Sequence, residues 1–115
     1  MNGTRVVIHA AVSLDGRTGG FAADHAMLRR LAATWPAARL IGGGDPLAGE
    51  LLARGVVDEV SLLIHPVIVG EGHASWSGGA QLPDGVRLTR ESAETIASEE
   101  AGGAGLAWLR FRVSG

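Results

Sequence analysis

From Arg39 to Gly72 the residues leave the backbone little choice. Ala38 to Ile41 is a short apolar strand, Gly42, Gly43 and Gly44 form a turn, Pro46 to Arg54 has helical spacing, and Val56 to Ile64 is a second apolar strand. The joints agree with that order. Asp45 suits the helix N-cap, Pro46 the first helical position, where no N–H is needed, and Gly55 the left-handed stop after the last turn. Leu47, Leu51 and Leu52 share one side of the helix, while Glu50 and Arg54 form an i, i+4 pair on the exposed side. Two strands joined through a helix run parallel with a right-handed crossover. The glycine turn therefore lies at the carboxyl edge of a sheet, where open α/β sheets take their ligands.

The remaining segments fit around this unit. Arg5 to Val12 reads as a central strand that ends at Ser13-Leu14-Asp15-Gly16. Asp-Gly is a turn signal, which alone accounts for Asp15; a carboxylate just past a buried strand also faces a ligand cleft, where it can pair with the N–H edge of a heterocycle. Gly16 to Ala23 reads as a mobile loop. Asp24 caps a helix running to about Trp35, with Leu28, Leu31, Ala32 and Trp35 as its core stripe, and Pro36 ends it. After the second strand the chain turns at Pro66 and closes on Gly70-Glu71-Gly72, and His73 to Asp84 is a loop anchored by Trp76. Val86 to Glu94 and Leu106 to Val113 alternate as an antiparallel pair joined through Ala101 to Gly105. The expectation is one α/β domain, residues 1–115, with a mixed β-sheet and flanking helices. The strands at Arg5, Ala38 and Val56 are expected to be central, with the antiparallel pair at one side.

Composition removes several chemistries. A chain of 115 residues is about one domain and buries roughly two thirds of its unfolded surface, enough for a core without staples. The absence of cysteine excludes disulfides, thiolate catalysis and cysteine-based zinc sites. No apolar run approaches the ~20 residues of a membrane span and the start is unlike a secretory signal, so a cytoplasmic protein with no membrane contact is expected. A net charge of −2 gives no electrostatic footprint for nucleic acid. All ten basic residues are arginine, which rules out Schiff-base lysine chemistry. With no tyrosine, a proton donor must be His, Asp, Glu or water. His9, His25, His65 and His73 lack metal-ligand spacing, and no metal is expected. Ser13 and Ser75 have no nucleophile-elbow context, and Asp58 and Glu59, adjacent on a strand, point to opposite faces. At the triple glycine, phosphates would meet bare backbone N–H groups at a helix N-terminus. A tight turn also wants glycine, and Asp45 competes for the same donors.

Four motifs stand in a telling order: Val12-Ser13-Leu14-Asp15-Gly16; Leu40-Ile41-Gly42-Gly43-Gly44; Leu51-Leu52 followed by Val57-Asp58-Glu59-Val60; and His65-Pro66-Val67-Ile68-Val69-Gly70-Glu71-Gly72. In these the chain resembles the dihydrofolate-reductase-like family, closest to the reductase domain of riboflavin biosynthesis, the C-terminal domain of the bifunctional deaminase-reductase. The resemblance covers most of the chain and implies a shortened dihydrofolate-reductase-like fold. It implies NADPH at Gly42, Gly43 and Gly44, substrate at Ser13 and Asp15, and a catalytic part for Asp15. The implied reaction is hydride transfer to a pyrimidine- or pterin-like ring, or to the ribose-derived carbonyl of a ribosylaminopyrimidine. Family members are longer: between the first helix and the glycine strand they carry the strands and helices that hold the adenosine end of NADPH. Here that helix runs through Pro36 directly into the glycine strand. The shortening is expected to leave a large apolar face or a bare edge covered by a second copy in a homodimer, with the Gly16 to Ala23 loop or the Trp76 loop of one copy against the glycine turn of the other. Two other functions stay open: a cofactor-free cyclase or isomerase using Asp15 and a histidine as acid and base, and a small-molecule-binding protein built on the reductase scaffold.

Overall fold

The structure, a computed structural model, describes residues 4–99 and 105–114. Its elements are β1 (Val6–Val12), α1 (His25–Leu31) with a 3-10 turn at Ala32–Thr34, β2 (Arg39–Gly42), α2 (Pro46–Arg54), β3 (Glu59–Ile64), β4 (Arg87–Ala97) and β5 (Gly105–Ser114). The five strands make one sheet in the order β2-β1-β3-β5-β4. β1 is parallel to β2 and β3, and β5 is antiparallel to β3 and β4, so the sheet is mixed.

The strand-turn-helix-strand unit forms as its joints require. The Asp45 carboxylate accepts the Leu47 N–H at 2.9 Å, Pro46 opens α2, and Gly55 closes it at φ 72°. Three expectations need correction. β2 is an edge strand, not a central one, because among the described residues β1 is the one strand that pairs with it. α1 stops at Leu31 and tightens into a 3-10 turn, since Pro36 prevents a further α turn. β3 starts at Glu59; Val56, half exposed, and Val57, buried, lead in without pairing. The turn expected at Ala101 to Ala104 lies outside the described residues.

Alternation along the strands sorts the core onto two faces. Ile8, Ala10 and Val12 of β1 and Val60 and Leu62 of β3 meet Ala48 and Leu52 of α2 on one face. Val7 and Leu63 meet Trp35, Leu106 and Trp108 on the other, with Met27, Leu28 and Leu31 of α1 above them. One helix on each face makes three layers. β4 is almost wholly exposed. Among the described residues the large apolar face expected from the shortening is not present: the exposed large apolar residues, Leu14, Leu40, Val56, Ile68 and Leu88, are few and spread over several elements. The bare edge is present, as β2.

Polar groups under α1 are fully paired. The Trp108 Nε1–H donates to Ser61 Oγ at 2.8 Å, Ser61 Oγ lies 2.9 Å from His9 Nδ1, and His9 Nε2 lies 2.7 Å from the Leu28 carbonyl. A carbonyl only accepts, so Nε2 carries the proton and Nδ1 takes the serine hydroxyl's. Burial pushes the His9 pKa below its ordinary 6.5, against the raising influence of the Leu28 bond. Beside it, buried Glu59 accepts from Trp35 Nε1 at 2.6 Å and pairs with Arg5.

Candidate functional site at the carboxyl edge

The carboxyl ends of β1, β2 and β3 bring three motif segments together: Ser13 to Thr18, the glycine turn, and His65 to Gly70. β1 leads into the first of these, and the parallel register His9 to Gly42 and Val12 to Ile64 brings the other two alongside. Asp15 ties two of them. Its carboxylate accepts the Ser13 hydroxyl at 2.5 Å, the Gly70 N–H at 2.7 Å and the Val69 N–H at 3.1 Å. The Ser13 bond first, then those to Gly70 and Val69, hold the Asp15 carboxyl far below the usual carboxylate range. Ser13 is committed too: buried, its Oγ also accepts the Arg17 N–H at 2.9 Å. The pair that sequence reading assigned to substrate thus forms a latch between β1 and the segment after β3.

The glycine turn is covered by the chain itself. A Cβ on Gly43 would stand 2.5 Å from Ala10 Cβ and 3.2 Å from Thr18 Cγ2, and one on Gly44 would stand 2.7 Å from Thr18 Oγ1. Gly42 alone faces open space. The cover is a small antiparallel bridge, Arg17 to Ser75, in which Thr18 donates from its N–H and its hydroxyl to the Ala74 carbonyl, at 2.9 and 3.1 Å. Trp76 N–H reaches the Gly16 carbonyl at 3.1 Å, and the Gly44 N–H points to the Trp76 carbonyl at 3.4 Å. The two loops expected from a second copy are therefore supplied in part by the same chain. Sequence reading missed Thr18 as their anchor, and only its place two residues past Asp-Gly could have suggested it.

His65 sits behind this edge, buried. Its Nε2 accepts the Asp24 N–H at 3.0 Å, so Nδ1 carries the proton and gives it to the Leu63 carbonyl at 3.1 Å. Asp24 caps α1 through Met27 N–H at 3.0 Å and accepts the Ser98 hydroxyl at 2.6 Å, and these two bonds, Ser98 first, lower its pKa. Ser98 donates to Asp24 and not to a histidine, so the three groups do not make a nucleophile. Among the described residues no group of His, Asp and Glu gathers as metal ligands would, and no helix is long and apolar enough to cross a membrane.

The family model for the RibD C-terminal domain matches residues 21–100. The chain belongs to that family. Two solved structures resemble it across 97% of its length at 12% identity: a protein of Shewanella sp. PV-4 assigned to riboflavin biosynthesis (TM-score 0.56, 100% of that chain) and the riboflavin biosynthesis reductase Rib7 of Saccharomyces cerevisiae (TM-score 0.59, 89% of that chain). At that identity the likeness concerns the fold, which is that of the riboflavin reductases. No curated protein sequence matches.

Membership in the RibD C-terminal domain family raises the question of NADPH, and the turn as built does not fit it. Two of three glycines are filled by Ala10, Thr18 and Trp76 rather than left for phosphate, and the Leu47 N–H is taken by Asp45. Pro46 offers no donor, and a carboxylate at the helix start repels an anion.

Proposed function

We propose that this chain is a reductase-like domain that takes a pyrimidine- or pterin-like ring, or a ribosylaminopyrimidine, at its carboxyl edge. In this reading it works in the cytoplasm on small molecules, and reduction by NADPH requires a homodimer in which a second copy supports the nucleotide. The observation behind it is the convergence of three family motifs on one edge, around an anionic latch whose charge does not titrate near neutral pH. An always-ionised Asp15 orients a heterocycle's N–H groups better than it shuttles protons, because an efficient acid or base has a pKa near working pH. The same argument counts against the cyclase or isomerase reading, since His9 and His65 also have both ring nitrogens engaged.

The closed glycine turn favours a second reading, ring binding without a cofactor. The cover has a weak point, however. Arg17 Nε is buried without a hydrogen-bond partner among the described residues, an arrangement that costs about 1–3 kcal/mol and that an incoming anion would relieve. NADPH fluorescence and calorimetry with a pterin separate the readings. Ring binding together with NADPH binding supports the reductase; ring binding alone supports the cofactor-free domain. If neither ligand binds at millimolar concentration, the carboxyl-edge site is wrong.

A further inference from the structure

A cleft of about 780 Å³ opens at the other end of the sheet, far from the glycine turn, with Arg5, Trp35, Pro36, Glu59, Glu91 and Arg110 on its walls. Its place follows from the topology: Arg5 precedes β1, Pro36 precedes β2 and Glu59 opens β3, so this is the amino edge on the α1 face. Its volume falls within the roughly 300–1,000 Å³ of small-molecule sites.

The charges on these walls are not equivalent. Glu59 lies at the buried floor with one oxygen on Trp35 Nε1 and the other on Arg5, so these groups satisfy one another. Glu91 and Arg110 remain. The pairing of β4 with β5 slips between Arg90, opposite Phe111, and Ser92, opposite Arg110, which makes Glu91 the extra residue of a β-bulge. A bulge re-aims a side chain, and bulges are enriched beside binding sites. Arg110 is held from two sides: its Nε–H donates to Ser92 Oγ at 2.7 Å, and its guanidinium carbon lies 4.9 Å from the Trp108 ring centroid. That fixes the guanidinium plane and leaves its two terminal amino groups as a fork suited to a carboxylate. Among the described residues neither Glu91 nor Arg110 has an ion-pair partner.

We propose that this cleft is a second binding site, for a zwitterion of the α-amino-acid type. The ligand's carboxylate lies on the Arg110 fork, its ammonium beside Glu91, and its apolar side chain against Trp35 and Pro36. A simple anion would face Glu91 and a simple cation would face Arg110; among charged ligands, one carrying both signs meets neither as a repulsion and is attracted by both.

Calorimetry on the full chain tests this with L-phenylalanine as the probe, beside hydrocinnamate, which lacks the ammonium, and phenethylamine, which lacks the carboxylate. The expected result is that L-phenylalanine binds and that each one-charge analogue binds at least about tenfold more weakly. Glu91→Gln, on an exposed strand, should weaken L-phenylalanine by about tenfold and should strengthen hydrocinnamate, which is then relieved of the carboxylate that repels it. Arg110→Gln should weaken both; if it fails to fold, Glu91→Gln alone decides. No heat with L-phenylalanine up to millimolar concentration, equal binding of all three probes, or an unaffected Glu91→Gln would overturn the proposal. Pterin calorimetry on the same samples reads the carboxyl edge separately.

Discussion

Adjacent glycines in this chain do different work. Gly43 lies against β1, and a methyl group there meets Ala10 Cβ at 2.5 Å; Gly42, one residue earlier, has nothing within 4 Å. Gly43→Ala should therefore destabilise by ~1–3 kcal/mol through overpacking, and Gly42→Ala should come close to neutral in thermal unfolding. Equal losses from the two would mean that the turn does not pack on β1 as described. Acid titrations of stability follow from the same scale. The His9 pKa is lowered in the folded chain, so the unfolded chain binds the proton first and stability declines as pH falls below 6.5. Asp15 and Asp24 are also lowered from 3.8, so their contribution is intact above that value and disappears as pH falls through their folded values. Urea unfolding across pH should show both declines, and His9→Gln should remove the upper one alone.

Elements set by neighbouring residues were legible; contacts between distant loops were not. Asp45, Pro46 and Gly55 each mark a joint of α2 by local chemistry, and the resulting helix matches its expected ends. Asp45→Ala should cost ~1 kcal/mol for the lost cap, and Gly55→Ala should cost ~1–2 kcal/mol through its left-handed backbone alone, since no atom crowds it. Chemical denaturation reads both. If Asp45→Ala were neutral, the Leu47 bond would be incidental. By contrast the bond from Thr18 to Ala74 joins residues 56 apart, and that from Ser98 to Asp24 joins residues 74 apart. No local pattern announces either one. The assignment of Ser13 and Asp15 to the carboxyl edge was readable from the strand end and the Asp-Gly turn; their bonding to each other and to Val69 and Gly70 depends on where β3 delivers the chain. β2 was read as central because Leu40 and Ile41 are as apolar as a central strand, and apolarity alone does not say how many neighbours a strand has.

At the scale of the whole molecule, the exposed edge of β2 carries the case for pairing with a second copy. Arg39, Leu40 and Gly42 are exposed along it, and unpaired N–H and C=O groups on an edge template another strand. Sedimentation at micromolar concentration should show a dimer, and Leu40→Lys, a charge on that edge, should shift it toward monomer. A wild-type monomer would remove the second copy from the proposed nucleotide site. The strand order has another consequence. β5, the last ten residues described, separates β3 from β4 and is the only sheet neighbour β4 has among the described residues. During synthesis β4 emerges from the ribosome with no partner and must wait until β5 has cleared the exit tunnel. A chain clipped or stalled before Gly105 would keep the parallel core but expose β3 as a second sticky border, so quality control acting on such fragments would meet an aggregation-prone half-sheet.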